Sequence, residues 1–186
     1  MKKIIALSAL MSALSLAGLS AQAATVIVSN SGTVKFTGQI VNAACAVNVN
    51  STSQIVKMGQ AKTSTLNQAG NVSNLVPFSI QLDNCDSTVS SKVQFAFTGN
   101  AVSASNLNVL QVDGSAAGSA TNVGVQILDS AGTALNFAGT NGPSWSTATN
   151  LANGTNIIPF EARYYATGVS TPGQADASAT FAVQYN

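Results

Sequence analysis

The chain has 186 residues with 7 basic and 6 acidic side chains, a net charge of +1, and no histidine. Its length fits one domain with a substantial core, and its basic residues form no cluster to hold phosphates, which argues against nucleic acid as a partner. The lack of histidine excludes serine-type triads of the usual kind, and a charged fraction of 7% against an ordinary quarter leaves the polar surface to Ser, Thr, Asn and Gln. Such a neutral surface suits an extracellular protein or a subunit packed against many copies of itself.

Residues 1–23, MKKIIALSALMSALSLAGLSAQA, read as a secretory signal peptide. Lys2 and Lys3 form the basic start, Ile4 to Leu19 the apolar stretch, and Ala21-Gln22-Ala23 the small-x-small cleavage pattern. Cleavage is expected after Ala23 or Ala24. Loss of the two lysines turns the net charge to −1. No later apolar run approaches the roughly 20 residues that span a bilayer, so no membrane span is expected.

The stretch that follows, TVIVSNSGTVKFTG, has the period of a β-strand. Val26, Val28, Gly32, Val34 and Phe36 fall on even positions, so one register buries all of them and a slip of one residue exposes them. Burying the four large side chains is worth roughly 6–12 kcal/mol, at about 1.5–3 each. A strand at a chain terminus needs a sheet to receive it. Gly32 shares that face without a side chain, and a turn glycine in SNSG is one reading of it.

Further strands are expected near 34–42, 54–58, 76–82, 93–97, 107–112, 123–127, 133–137, 156–166 and 177–185, from alternation such as Val76, Phe78, Ile80, Leu82 and Val93, Phe95, Phe97. Pro159 argues for an edge position or a bulge in its strand. Asp113-Gly114, Asn141-Gly142, Asn153-Gly154 and Thr171-Pro172-Gly173 mark turns. Only residues 60–70 suit a short helical turn. Residues 139–156 lack periodicity and read as a surface loop, with Trp145 packing it down; a ligand platform is the alternative. Many short strands at this spacing imply an all-β, immunoglobulin-like antiparallel sandwich.

Cys45 and Cys85, an even pair in an exported chain, are expected to form one disulfide. It closes a loop of about 40 residues, worth on the order of 4 kcal/mol in the loop-entropy model. No metal is expected, since Asp83 and Asp86 have no thiol or imidazole beside the paired Cys85. These two aspartates read as turn formers rather than as a catalytic pair, and Glu161 and Arg163, two apart on one strand face, as a weak ion pair. No catalytic constellation emerges, so the chain is not read as an enzyme and no cofactor is expected.

The segments GTVKFTGQIVNAACAV, FSIQLDNCD, SAAGSATNVGVQILD, IIPFEARYYATG and ADASATFAVQYN together resemble the chaperone–usher pilins, in order along essentially the whole chain after the signal. The resemblance is strongest to the major structural subunit of type 1 fimbriae. Tyr185 is penultimate and Gly173 stands fourteenth from the C-terminus, as in that family, with Ala179, Phe181 and Val183 alternating between them. The resemblance implies an incomplete sandwich lacking its last strand. It implies a periplasmic chaperone gripping the strand with Gly173, Ala179, Phe181, Val183 and Tyr185, and an outer-membrane usher where the leading segment of the next subunit replaces the chaperone.

The expected layout is a signal peptide at 1–23, a donor-strand extension at 24–37 and a pilin domain at 38–186. The resemblance implies that Val26, Val28, Gly32, Val34 and Phe36 are the donor residues of a strand meant for another molecule's sheet, with Gly32 facing a shallow part of the groove where no side chain fits. The expected function is a structural subunit polymerising with copies of itself into the rod of an extracellular adhesive fimbria. A minor adaptor pilin or a carbohydrate-binding module at the fimbrial tip is the alternative.

Overall fold

The computed structural model describes residues 32–114 and 118–186. The signal peptide and the first part of the donor segment, with Val26 and Val28, lie outside the described residues. The chain divides into two units, one ending at Gln39 and one running from Ile40 to Asn186. In the first unit, Gly32 to Gln39 have no regular secondary structure, and Val34 and Phe36 are 73% and 89% exposed.

The second unit is an antiparallel sandwich. Among the described residues its strands are β1 (Ala46–Val47), β2 (Val76–Cys85), β3 (Lys92–Thr98), β4 (Ala101–Ser103), β5 (Asn106–Gln111), β6 (Val123–Leu128), β7 (Thr149–Asn150), β8 (Gly154–Ala166) and β9 (Thr180–Tyr185), with one short helix, α1 (Val49–Thr52). One sheet runs β1-β2-β8-β6-β5-β4 and the other β7-β3-β9. The period-two pattern puts Ile80 and Leu82 of β2, Phe95 and Val93 of β3, and Ile158 and Phe160 of β8 into the space between them, where each is nearly or fully buried.

Phe160 is the hub of that core. Its ring stacks on Phe78 at 5.6 Å and meets Phe95 and Phe97 edge-on at 5.4 and 5.2 Å, geometries favoured by the aromatic quadrupole. The Cys45–Cys85 disulfide is formed and ties the segment before β1 to the end of β2.

Several expectations are corrected. Residues 34–42 and 54–58 form no strand, and 133–137 contribute only an isolated bridge, Leu128 to Ala134. Alternation supplies a face, but a strand also needs a ladder partner for its backbone groups. Residues 60–70 hold turns and bends rather than a helix; the helix is α1, capped by the Asn48 side chain, which accepts from the Asn50 amide. β8 is not an edge strand, since it lies between β2 and β6. Its proline is tolerated because β6 reaches along β8 only to the pair Leu128–Glu161, so Pro159, opposite Ser79 of β2, lies past the end of that ladder. Arg163 does not turn to Glu161 but donates from Nε to Oε1 of Gln126, its neighbour across the ladder, at 3.0 Å.

Candidate functional site

β3 sits between β7 and β9, and among the described residues the far edge of β9 has no ladder partner. Register sets Phe181, Val183 and Tyr185 of β9 beside Phe97, Phe95 and Val93 of β3. All six therefore point into the sandwich. The β3 members are buried, yet Phe181, Val183 and Tyr185 are only half-buried.

The facing sheet has a matching opening. β1 covers β2 only at Ala46–Asp83 and Val47–Leu82. Towards its start β2 pairs with β8 on one side, and Phe78 on this stretch is half-buried although it packs against the core. Phe78 also meets Phe97 at 6.3 Å, and Phe181 meets Phe97 at 6.2 Å. Phe78, Phe181, Val183 and Tyr185, like Val47, Met58 and Tyr164, pack against the core yet stay partly uncovered, and the unpartnered edge of β9 beside Phe181, Val183 and Tyr185 is read as an open seam into the core. From Phe181 to Tyr185 it runs about 13 Å at the strand rise of about 3.3 Å per residue.

One end of the seam is pinned. The Tyr185 hydroxyl donates to the carbonyl of Cys45 at 3.2 Å, joining β9 to the disulfide edge of the other sheet. Burial pushes the Tyr185 phenol above its ordinary value, so it stays a donor at neutral pH. Below it, Asn186 exchanges both backbone hydrogen bonds with Lys92, and the Ser90 hydroxyl donates to the Asn186 carbonyl.

Ala179 and Gly173 lie outside β9, which begins at Thr180. Gly173 runs backbone against backbone with residues 118–120: a Cβ there would come within 2.4 Å of the Ala120 nitrogen and the Gly118 carbonyl oxygen. Gln174 donates to Gly118 and accepts from Ala120 beside it. This packing was not legible in the sequence, because it depends on a parallel approach of two loops.

The aspartates act as organisers. Asp86 accepts from the amide and hydroxyl of Thr88 as a turn former, and Asp83 accepts from Asn48 and Gln81; these bonds hold both carboxyls below their ordinary values. Sequence reasoning missed Asp129. It is 3% exposed and accepts from the amides of Ala131, Thr133 and Thr147 and from the Thr147 hydroxyl. Burial alone would raise its carboxyl, but these four donors outweigh it and hold it below the ordinary range. Among the described residues no group of His, Cys, Asp and Glu is arranged to hold a metal ion, and no helix is long and apolar enough to cross a membrane.

The family model described as fimbrial protein matches residues 34–186. The chain is 55% identical over 175 residues to the type-1 fimbrial protein A chain of Escherichia coli strain K12, covering 94% of each sequence. Among solved structures it is similar to a subunit of a chaperone–usher pilus studied for rod uncoiling, with TM-score 0.71 and 27% identity over 88% of this chain and 100% of that one. It is also similar to the P pilus rod subunit PapA, with TM-score 0.64 and 27% identity over 77% of this chain and 100% of that one. With the immunoglobulin-like sandwich, the disulfide and these likenesses together, the chain belongs to the fimbrial protein family, a family of structural subunits rather than of enzymes.

Proposed function

We propose that this protein is a structural subunit of a fimbrial rod and that it polymerises by lending residues 24–37 to the open seam of the next copy. The observation that carries the reading is the half-buried wall of Phe78, Phe181, Val183 and Tyr185 beside the unpaired edge of β9. An apolar seam next to free backbone donors and acceptors is poorly served by water. A strand laid along β9 answers both needs at once, since its backbone extends the ladder and its alternate side chains enter the seam.

The leading segment has the required pattern. Val26, Val28, Gly32, Val34 and Phe36 share one face, and Val34 and Phe36 are exposed in the single chain. Gly32 is read as the position lying over the shallow part of the seam. Head-to-tail donation does not close on itself, so the product is an open filament. The same seam needs protection before assembly. The partners proposed are a periplasmic chaperone that holds the β9 edge, with Gly173, Ala179, Phe181, Val183 and Tyr185 as its contact region, and an outer-membrane usher where the exchange occurs. Residues 1–23 serve as the export signal, residues 24–37 as the extension and 38–186 as the pilin domain. The final location is an extracellular fimbria, and no catalysis is assigned to the chain.

The test is electron microscopy of cells making the protein with its assembly partners, comparing wild type with Gly32→Leu. Normal rods from wild type and none from the variant, with variant subunit still exported, support the reading. Normal rods from the variant overturn the assigned role of Gly32.

A further inference from the structure

The outer face of the β7-β3-β9 sheet carries a feature that the proposed strand exchange along β9 does not use. Between the inward Val93, Phe95 and Phe97 of β3 stand Gln94 and Ala96, and β9 sets Gln184 and Ala182 directly opposite them. On the other side of β3, Trp145 is bridged to Ala96. Residues opposite one another in a ladder share a face, so Trp145, Ala96 and Ala182 form one row across the outer surface. Ala96 is 1% exposed although its side chain points away from the core, and Trp145 is the large side chain beside it in that row. Trp145 itself is 43% exposed.

The next row is a chain of amides. Asn186 Nδ2 donates to Gln94 Oε1 at 2.8 Å, Gln184 Nε2 donates to Asn186 Oδ1 at 3.0 Å, and Gln94 Nε2 donates to the Ser146 carbonyl at 2.8 Å. The loop bearing the indole is held in place: the Ser146 amide donates to the Phe95 carbonyl, the Phe95 amide to the Ser146 hydroxyl, and Asp129 grips Thr147. The loop is thus pinned by its backbone and by Asp129, while Trp145, expected to pack the loop down, is 43% exposed.

We infer that this face is a shallow binding platform for a neutral polysaccharide. A pyranose ring has an apolar C–H face and a rim of hydroxyls. The flat indole suits the first, and side-chain amides, each with a donor and an acceptor end, suit the second. Lys92 is the one charged side chain on these rows of β3 and β9, too little positive charge to hold a polyanion, so hydrogen bonds between amides and hydroxyls carry the match to an uncharged sugar. The fixed loop leaves little further ordering to oppose binding. One ring on one indole binds weakly, but a filament repeating the platform binds a long glycan at many points; that multivalency rests on the polymer reading, while the platform itself does not.

The chain has one tryptophan, so its emission reports this face alone. The experiment titrates the full mature protein, as fibres made without any tip subunit and as soluble subunit, with dextran, mannan and galactan, and with heparin as the polyanionic comparison. A saturable emission change with a neutral polysaccharide is expected, and affinity measured by isothermal titration calorimetry, which needs no tryptophan, should fall at least tenfold in Trp145→Ala, less in Trp145→Phe, and also in Gln184→Ala. The inference is overturned if none of the neutral polysaccharides changes the emission, if Trp145→Ala binds as wild type does, or if heparin is preferred. It is also overturned if acrylamide quenching of the indole vanishes on fibre formation, which would make the face a contact between copies. Soluble subunit gives the same readout, so a failure to polymerise leaves the test intact.

Discussion

The Tyr185 hydroxyl donates to the carbonyl of Cys45, a residue 140 positions earlier, and this bond clamps the last strand to the disulfide edge across the mouth of the seam. Removing the hydroxyl leaves the ring in place and the carbonyl without that donor. Tyr185→Phe is expected to destabilise the strand-completed subunit by about 1 kcal/mol. Chemical denaturation of wild type and variant, each supplied with a donor segment, measures the difference.

The Cys45–Cys85 bridge spans a sequence separation of 40 and sits beside that clamp. Replacing both cysteines by alanine is expected to remove on the order of 4 kcal/mol. A protein so marginal should accumulate poorly in the periplasm. Immunoblotting of periplasmic extracts, with wild type alongside, provides the check.

Gly173 tolerates no side chain, because a Cβ would press on the main chain of residues 118–120. Backbone yields less readily than a side-chain tip, so Gly173→Ala should cost about 1–3 kcal/mol. Gly114, where a Cβ meets nothing within 4 Å, is the control, and Gly114→Ala should be close to neutral. Thermal unfolding of the two variants distinguishes a packing requirement from a general dislike of alanine in loops.

Asp129 joins the turn after β6 to the Thr147 loop through four accepted hydrogen bonds. Its folded carboxyl is held below the unfolded value. The stability it contributes is therefore complete above the unfolded pKa, about 3.9, and is lost as pH falls through the lower folded value. Asp129→Asn should be destabilised by about 1.5–3 kcal/mol at neutral pH. The gap from wild type should narrow below about pH 4, as unfolding curves across pH 2–7 would reveal.

The alternating runs made β2, β3, β5, β6 and β8 readable, because a half-buried sheet imposes period two on whichever residues it holds. The same logic overreached at 54–58, which forms no ladder, and at 133–137, which meets β6 and β5 through a bridge and single backbone hydrogen bonds but not through a continuous ladder. Pro159 misled because a proline's missing N–H matters only on the side where a ladder continues, and β6 stops short of it. The short β4 and β7 and the helix α1 carry too few residues to show a period. Within the seam, Phe181, Val183 and Tyr185 were legible as one face of a strand. The pairing of Phe78 with them was not, since it joins two sheets whose order no local pattern encodes. Asp129 escaped notice for a similar reason: its value lies in donors supplied by a loop 18 residues away.

The central claim is that the core is open along β9 and is completed by the leading segment of another copy. The direct measurement is thermal unfolding of the chain lacking residues 1–37, alone and after incubation with a synthetic peptide of residues 24–37. The account predicts a poorly stable protein whose melting temperature rises by tens of degrees with the peptide and does not rise with a Gly32→Leu peptide. A truncated chain that melts cooperatively at the same high temperature with and without peptide would contradict it.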